Sequence, residues 1–213
     1  TAYARKHVDN LLALTFHYGQ THVKEVDCAQ RIAKIMDINH TLVDISFLGD
    51  IAWYSSLTSP TVLPMPKDRY SENMGHEIPT TYVPLRNTIF LTLAAALLES
   101  HVLNAIESEH IPPKEMDIYL YMAPNIIDYS GYPDCRPEYF KKMEGALKAG
   151  SKLWTQYGVA IKIKTPVIQF SKAEIIALGT DLKAPIKHTW SCYEGGDMPC
   201  GRCDSCILRA HGF

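Results

Sequence analysis

The sequence predicts an α/β fold in which a doubly wound parallel sheet is followed by a small C-terminal unit containing four cysteines. Two observations predict it. Apolar runs of strand length alternate along the chain with segments that have the hydrophobic spacing of helices. Four of the six cysteines lie between residues 192 and 206 of the 213-residue chain. We therefore expect an α/β domain in residues 1–185 and a cysteine unit in residues 186–213.

The first part of the chain has the pattern strand, helix, strand. Residues 10–16, NLLALTF, have the length of a buried strand, and residues 18–20 form a turn after it. Apolar residues recur every three or four positions in residues 23–36, which is the spacing of an amphipathic helix. Residues 41–45 are the next strand. Because a crossover helix joins parallel strands, this order predicts a βαβ unit.

Residues 53–81 contain several prolines and no periodic pattern, so we expect a long loop of the kind that often covers a functional site. The remaining elements follow in alternation: a helix at 85–101, a strand at 117–123, a helix at 137–157 and a strand at 160–165. Ser171 and Glu174 have the spacing of a capping box, which predicts a helix ending near residue 181.

Cys192, Cys200, Cys203 and Cys206 have the spacing C-x7-C-x2-C-x2-C. Each x2 step lets a tight turn aim two thiolates at one point, and a tetrahedral zinc ion suits such a set. Four protein ligands leave no position for water, so we expect a structural zinc. The alternatives are two disulfides, an iron–sulfur cluster or redox thiols. Without an apolar secretory leader, the chain is expected to be cytoplasmic with reduced thiols.

The charge and hydropathy of the chain argue against two classes of partner. A formal net charge of −2 and a pI near 6.5 do not provide the basic surface that nucleic-acid binding requires. The longest apolar run, residues 89–98, is too short to cross a bilayer and is expected to be a buried helix. We therefore expect no direct contact with nucleic acid or with a membrane.

Three polar clusters fall where strands are expected to end: residues 16–20, 80–87 and 125–139. Ligands of open α/β sheets bind beyond the carboxyl ends of the strands, so these clusters are candidates for a binding site. Each cluster alone fits an ordinary capped turn equally well, since Asp, Ser, Gly and Pro are common turn residues. Arg86 is suited to a phosphate or carboxylate, or to a plain surface ion pair.

The segments FHYGQ, TYVPLRN, NIIDYSGYPDCRPEY, SKAEI and TWSCYEGGDMPCGRCDSC occur in this order along the chain. Together they resemble the 7-cyano-7-deazaguanine synthases of queuosine and archaeosine biosynthesis. The resemblance implies a PP-loop ATPase fold of the adenine-nucleotide α-hydrolase type, a homodimer and a four-cysteine zinc site. It also implies an ATP-dependent ligase that uses Mg²⁺ and ammonia to convert 7-carboxy-7-deazaguanine into 7-cyano-7-deazaguanine, through an activated carboxylate and an amide.

The resemblance also implies roles for particular residues. Arg86 and Asn87 are the implied catalytic pair, near the ATP phosphates or the substrate carboxylate. The implied substrate residues share the loop after the third strand: Asn125, Asp128, Tyr129, Ser130, Asp134 and Arg136. The implied ATP-binding residues are Phe16, Tyr18, Gly19, Gln20 and Lys172. Cys192, Cys200, Cys203 and Cys206 are the implied zinc ligands.

The sequence departs from the family pattern at its start. The family begins with a strand and a glycine- and serine-rich SGGxDS phosphate loop, neither of which these residues contain. Backbone N–H groups of such a loop hold pyrophosphate, so we expect the strand and loop to precede Thr1 in the natural protein. Two other interpretations remain: a PP-loop tRNA thiolation enzyme and a zinc-ribbon binding module. The first needs a catalytic cysteine pair, and the second leaves the α/β body unexplained.

Overall fold

A computed structural model describes residues 1–69, 77–126 and 131–213. These residues form two compact units. The first unit consists of Thr1–Pro84, Asn125–Tyr132 and Gln169–Phe213, and the second consists of Leu85–Pro124 and Pro133–Ile168, each within the described ranges. The predicted domain boundary between residues 185 and 186 remains a prediction.

The first unit is built on a βαβ arrangement. β1 (Leu12–His17) and β2 (Asn39–Asp44) are parallel, with Leu12 opposite Asn39 and His17 opposite Asp44. α2 (Lys24–Ile35) connects them and packs on both strands, burying Val26 and Ala33. This placement confirms the amphipathic pattern of residues 23–36, whose apolar face covers one side of the strand pair.

Shorter helices complete the first unit: α1 (Ala2–Arg5), α3 (Leu48–Ile51), α7 (Lys172–Asp181) and α8 (Asp204–Gly212). α7 begins with the predicted capping box, because Ser171 accepts from the Glu174 N–H while the Glu174 carboxylate accepts from the Ser171 N–H. α7 packs against α8, which begins directly after Cys203 and contains Cys206. In the described parts of 53–81, residues 53–69 and 77–81, the chain forms turns and one isolated bridge, as expected of a long loop.

The second unit contains a second parallel pair, β3 (Ile118–Tyr121) and β4 (Ile161–Lys164), with Ile118 opposite Ile161. α4 (Arg86–Glu107) packs on β3, and α5 (Pro137–Gly150) packs on β4. The buried core is apolar and consists of Ala95, Val102, Ile106, Leu153, Val159 and Ile161. Parallel strands joined through helices in both units confirm the predicted α/β class.

Two element predictions for the second unit were wrong. Residues 137–157 form two helices. α5 ends at Gly150, Ser151 is extended, and α6 (Lys152–Tyr157) begins directly after it. The Ser151 hydroxyl accepts from the Trp154 N–H, and an N-cap of this kind starts a new helix. The helix that begins near residue 85 ends at Glu107, six residues beyond its predicted end at 101.

The extra length of α4 bears on the membrane prediction. Within the described part of the chain, this is the one helix long and apolar enough to span a bilayer by length and composition alone. The core helix of a soluble protein passes the same test, and Leu91, Ala95, Val102 and Ile106 of α4 are buried. The expectation of no membrane contact remains a prediction.

Candidate metal centre and candidate active-site residues

The four C-terminal cysteines form one cluster. The sulfur atoms of Cys192, Cys200, Cys203 and Cys206 all lie within 4.8 Å of one another, and Cys203 is fully buried. Zinc–sulfur bonds of about 2.3 Å place the four sulfurs of a tetrahedral site about 3.8 Å apart, so this cluster fits a metal ion with little adjustment. None of the six cysteines is disulfide-bonded in the structure, and the single cluster of four sulfur atoms favours a metal ion over the alternative of two disulfides.

Backbone N–H groups point at the sulfur atoms, as expected where thiolates bind a metal. Glu194 and Cys200 donate to the Cys192 sulfur at 3.4 and 3.3 Å, and Arg202 and Cys203 donate to the Cys200 sulfur at 3.4 and 3.3 Å. Burial opposes ionisation of Cys200, but the N–H donors of Arg202 and Cys203 outweigh it and lower the pKa of that thiol. These donors stabilise negative charge on sulfur before any cation is counted.

Cys203 and Cys206 behave in the opposite way. Burial raises the pKa values of Cys203 and Cys206, and the neighbouring sulfur atoms raise that of Cys206 further. Four thiolates cannot share one dry site without a compensating cation. A divalent metal ion supplies the compensating positive charge and displaces the thiol protons. The four sulfur atoms therefore fit a metal site with four thiolate ligands.

The turn after β1 and the first residue of α2 pack on the loop that carries these cysteines. The Lys24 ammonium donates to the carbonyls of Gly196 and Asp197 at 2.8 and 2.7 Å and lies over the Trp190 ring. Gly195 has φ +63°, and a Cβ there would lie 2.1 Å from the Cβ of His22. Only glycine fits at this position, which fixes the loop against His22.

The predicted ATP-binding residues Phe16, Tyr18, Gly19 and Gln20 lie at the carboxyl end of β1. Tyr18 and Gln20 are buried, and the Gln20 side chain accepts from the Tyr18 N–H at 2.8 Å. Gly19 has φ +82°, and a Cβ there would lie 2.5 Å from the Ser46 carbonyl oxygen. The Gln20 amide closes the turn, and Gly19 lets it approach the chain after β2.

Asn125 and Lys172 meet in the first unit, although their predicted ligands differ. The Lys172 ammonium donates to the Asn125 side-chain oxygen at 3.4 Å, and the Asn125 amide donates to the Phe170 carbonyl. Lys172 is the first residue of α7, directly after the capping Ser171. The side chain of Asn125 therefore positions the Lys172 ammonium beside the first turn of α7.

Arg86, Asn87 and Asp134 meet in the second unit, at the start of α4. The Asp134 carboxylate accepts from the Asn87 N–H at 3.2 Å, and so acts as the N-terminal cap of α4. The Asn87 amide donates to the Asp134 carbonyl at 3.2 Å and to the Cys135 sulfur at 3.4 Å. Leu85, before the helix, has φ +54°, a conformation that is uncommon for a non-glycine residue.

Burial dominates the electrostatics of this cluster. It raises the pKa of Asp134, against the opposing influence of the Asn87 N–H and the Arg86 guanidinium. Burial and the Asp134 charge raise the pKa of Cys135 to about 11. The Cys135 thiol is therefore protonated at neutral pH, which does not suit a nucleophile. Arg136, the N-cap residue of α5, is exposed.

Three predicted substrate residues, Asp128, Tyr129 and Ser130, lie outside the described residues. The sequence reading also missed several residues that support the cysteine loop: Lys67, Asp68, Arg69 and Asp204. The sequence shows the alternating charges of residues 67–69 and the acidic residue directly after Cys203. Their spacing gives no sign that they form ion pairs with one another.

Comparison with known families identifies the chain. All 213 residues match the family model described as Queuosine biosynthesis protein QueC. The chain belongs to this family. The resemblance inferred from the motifs is thereby confirmed, and with it the PP-loop-type α/β fold.

Curated relatives from distant organisms agree with this assignment. The chain is 42% identical to a 7-cyano-7-deazaguanine synthase of Picrophilus torridus over 214 aligned residues, covering 100% of this chain and 80% of that protein. It is 42% identical to the enzyme of the same name from Trichodesmium erythraeum, over 94% of this chain and 83% of that protein. The Oceanobacillus iheyensis 7-cyano-7-deazaguanine synthase is 39% identical over 95% of this chain and 81% of that protein.

Proposed function

We propose that this chain is a 7-cyano-7-deazaguanine synthase, an ATP-dependent carbon–nitrogen ligase that converts 7-carboxy-7-deazaguanine and ammonia into the nitrile. The match of the whole chain to its family, with curated relatives of that name at about 40% identity, is the observation that carries the proposal. The product serves 7-deazapurine biosynthesis for queuosine or archaeosine.

The reaction removes two oxygen atoms from one carbon. ATP activates the substrate carboxylate as an acyl adenylate with release of pyrophosphate, and ammonia displaces AMP to give the amide. The amide oxygen then attacks a second ATP with release of pyrophosphate, and loss of AMP and two protons leaves the nitrile. Bound Mg²⁺ would neutralise phosphate charge, and no step requires a protein nucleophile. The pKa of Cys135, raised to about 11, agrees with a mechanism that uses no protein nucleophile.

Arg86 is the residue that we assign to charge neutralisation, on the substrate carboxylate or an ATP phosphate. Asn87 and Asp134 support it by fixing the first turn of α4, on which Arg86 lies. A guanidinium next to a helix N-terminus adds to the positive potential there, which favours an anion. Arg136 is assigned to substrate binding on the basis of the family resemblance.

Phe16, Tyr18, Gly19, Gln20 and Lys172 are assigned to ATP, and Asn125, Asp128, Tyr129 and Ser130 to the deazaguanine ring, again by resemblance. The hydrogen bond from Lys172 to Asn125 supports an ATP-binding role in which Asn125 positions the lysine ammonium. The metal in the cysteine cluster is assigned as structural zinc, since four thiolates suit zinc and leave no open position. We expect a cytoplasmic homodimer.

The decisive assay incubates the full-length protein with ATP, Mg²⁺, ammonium and 7-carboxy-7-deazaguanine and detects the nitrile by mass spectrometry. Nitrile that forms only with ATP supports the proposal. Absence of nitrile, with ATP consumed on tRNA instead, contradicts it in favour of the thiolation enzyme. Substrate labelled with ¹⁸O in the carboxylate shows whether each lost oxygen leaves on AMP or on phosphate.

Arg86→Gln tests the assigned role within that assay. We expect kcat to fall by about 10²–10³, the cost of removing one preorganised charge-stabilising group. Arg31→Gln, on the exposed side of α2, is the matched control and should keep wild-type turnover. Equal rates for the two variants would remove Arg86 from the reaction.

A further inference from the structure

Residues 67–69, which we call the strap, run antiparallel to the cysteine loop. Lys67 forms an isolated antiparallel bridge with Cys203, and the Asp68 N–H donates to the Arg202 carbonyl at 2.8 Å. The strap therefore contacts the backbone of one predicted metal ligand directly. It approaches from a segment more than a hundred residues away in the sequence.

Three consecutive side chains of the strap pair with three side chains of opposite charge on the cysteine loop. Lys67 pairs with Glu194, Asp68 with Arg202 and Arg69 with Asp204. The charges alternate along the strap, so a shift by one residue would place like charges together. The pairing therefore fixes the register of the strap on the loop.

Only one of these three pairs involves a buried group. The Asp68 and Arg202 side chains are 55% and 63% exposed, whereas the Asp204 side chain is 2% exposed. Arg69 binds the Asp204 carboxylate with two groups, Nε to Oδ1 at 3.0 Å and Nη2 to Oδ2. A buried carboxylate held in this bidentate manner becomes costly when its partner is removed.

Asp204 occupies a critical position for the metal centre. It is the first residue of α8 and lies between Cys203, which precedes that helix, and Cys206, in its first turn. A divalent ion with four thiolates carries a net charge of −2, to which the Asp204 carboxylate adds another negative charge. The guanidinium of Arg69 offsets this charge and holds the helix turn that supplies two of the four sulfurs.

We propose that Arg69 is a positioning residue of the metal centre: through Asp204 it retains the metal, and the metal in turn keeps the strap ordered. Groups that orient metal ligands typically change metal affinity by about 10–100-fold when they are removed. This coupling is independent of the ligase reaction, because it concerns metal retention and strap order in a protein without substrate.

The rate of metal release tests the first half of the proposal. Full-length zinc-loaded protein is mixed with a chromogenic chelator, and the release rate is compared among wild type, Arg69→Ala, Arg69→Lys and Arg202→Ala. We expect release to be about 10–100-fold faster for Arg69→Ala. Arg69→Lys should show a smaller increase because it keeps the charge but loses the bidentate geometry, and Arg202→Ala should stay near wild type.

Each result bears on the proposal. If Arg69→Ala does not fold, Arg69→Lys decides, and a wild-type release rate for that folded variant overturns the proposal. Equal acceleration by Arg69→Ala and Arg202→Ala also overturns it, because loss of any ion pair between the strap and the cysteine loop would then suffice.

Trypsin cleavage tests the second half, since Lys67 and Arg69 are themselves trypsin sites. In metal-loaded wild type we expect slow cleavage after both residues, and faster cleavage once the metal is chelated. Metal-loaded Arg69→Ala should be cleaved after Lys67 faster than the metal-loaded wild type. Cleavage of the wild type that does not depend on the metal would contradict the coupling. Nitrile synthesis is read in a separate assay, so the two proposals can fail independently.

Discussion

The cysteine region and the core of the second unit are held by different forces. Around the cysteines, the buried groups are thiols, a carboxylate and backbone amides, and their order depends on charge compensation. Around β3 and β4, the buried groups are aliphatic, and Leu153 is fully buried among Ala95, Val102, Val159 and Ile161. Apolar burial needs no ligand, whereas a cluster of thiols needs a cation. Removal of the metal should therefore unfold the cysteine region, whereas a cavity in the apolar core should destabilise the second unit.

Loss of one metal ligand is expected to have the largest effect. Cys203→Ser removes a fully buried thiolate, so metal content should fall from about one ion per chain to near zero, measured by elemental analysis. Cys28→Ser, which changes a half-buried cysteine on α2, is the matched control and should retain the metal. A metal content of about one ion per chain in Cys203→Ser would show that the cluster is not the metal site.

A cavity in the aliphatic core is expected to have the next largest effect, without touching the metal. Leu153→Ala should lower the free energy of unfolding by about 2–5 kcal/mol, measured by urea denaturation. Leu93→Ala, at a more exposed position of α4, should change it by about 0.5 kcal/mol. Metal loss from Leu153→Ala under native conditions would show that the two regions are not separable.

Removal of a helix cap in the second unit tests a smaller, local contribution. Ser151→Ala deletes the N-cap of α6 and its bond to Glu99, so the free energy of unfolding should fall by about 0.5–2 kcal/mol. Ser100→Ala is the matched control, because the hydroxyl of this exposed helix residue bonds only within its own helix. An unchanged stability for Ser151→Ala would mean that Glu99 alone starts the helix.

The smallest expected effect is a pH dependence at Asp134. Burial raises the folded-state pKa of this carboxyl above its unfolded value of 3.8, so its contribution favours folding at low pH and is lost as the pH rises through the folded pKa. Asp134→Asn keeps an acceptor for the Asn87 N–H without the buried charge. Its stability relative to wild type should therefore be higher at pH 8 than at pH 4.5, measured by thermal unfolding. The opposite trend would show that Asp134 is stabilised as a charged group.

The sequence was sufficient for features that depend on local patterns. The spacing of apolar residues predicted α2, the capping box predicted the start of α7, and the cysteine spacing predicted a four-sulfur cluster. Each of these signals lies within a few residues of the element that it describes. The motifs also led to the correct family, because each combines several residue types at fixed spacing.

The features that the sequence did not predict depend on contacts between distant segments. The strap and Asp204 are separated by more than a hundred residues, and their charges resemble an ordinary solvated surface until the fold brings them together. Likewise, the break at Ser151 is stabilised by Glu99 from α4, which no local pattern reveals.

Hydrogen exchange before and after metal chelation tests the contrast between the two regions most directly. After chelation of the full-length protein, peptides that cover residues 190–206 should lose their protection, while peptides that cover β3 and β4 keep theirs. Loss of protection in both regions together, or in neither, would contradict the account.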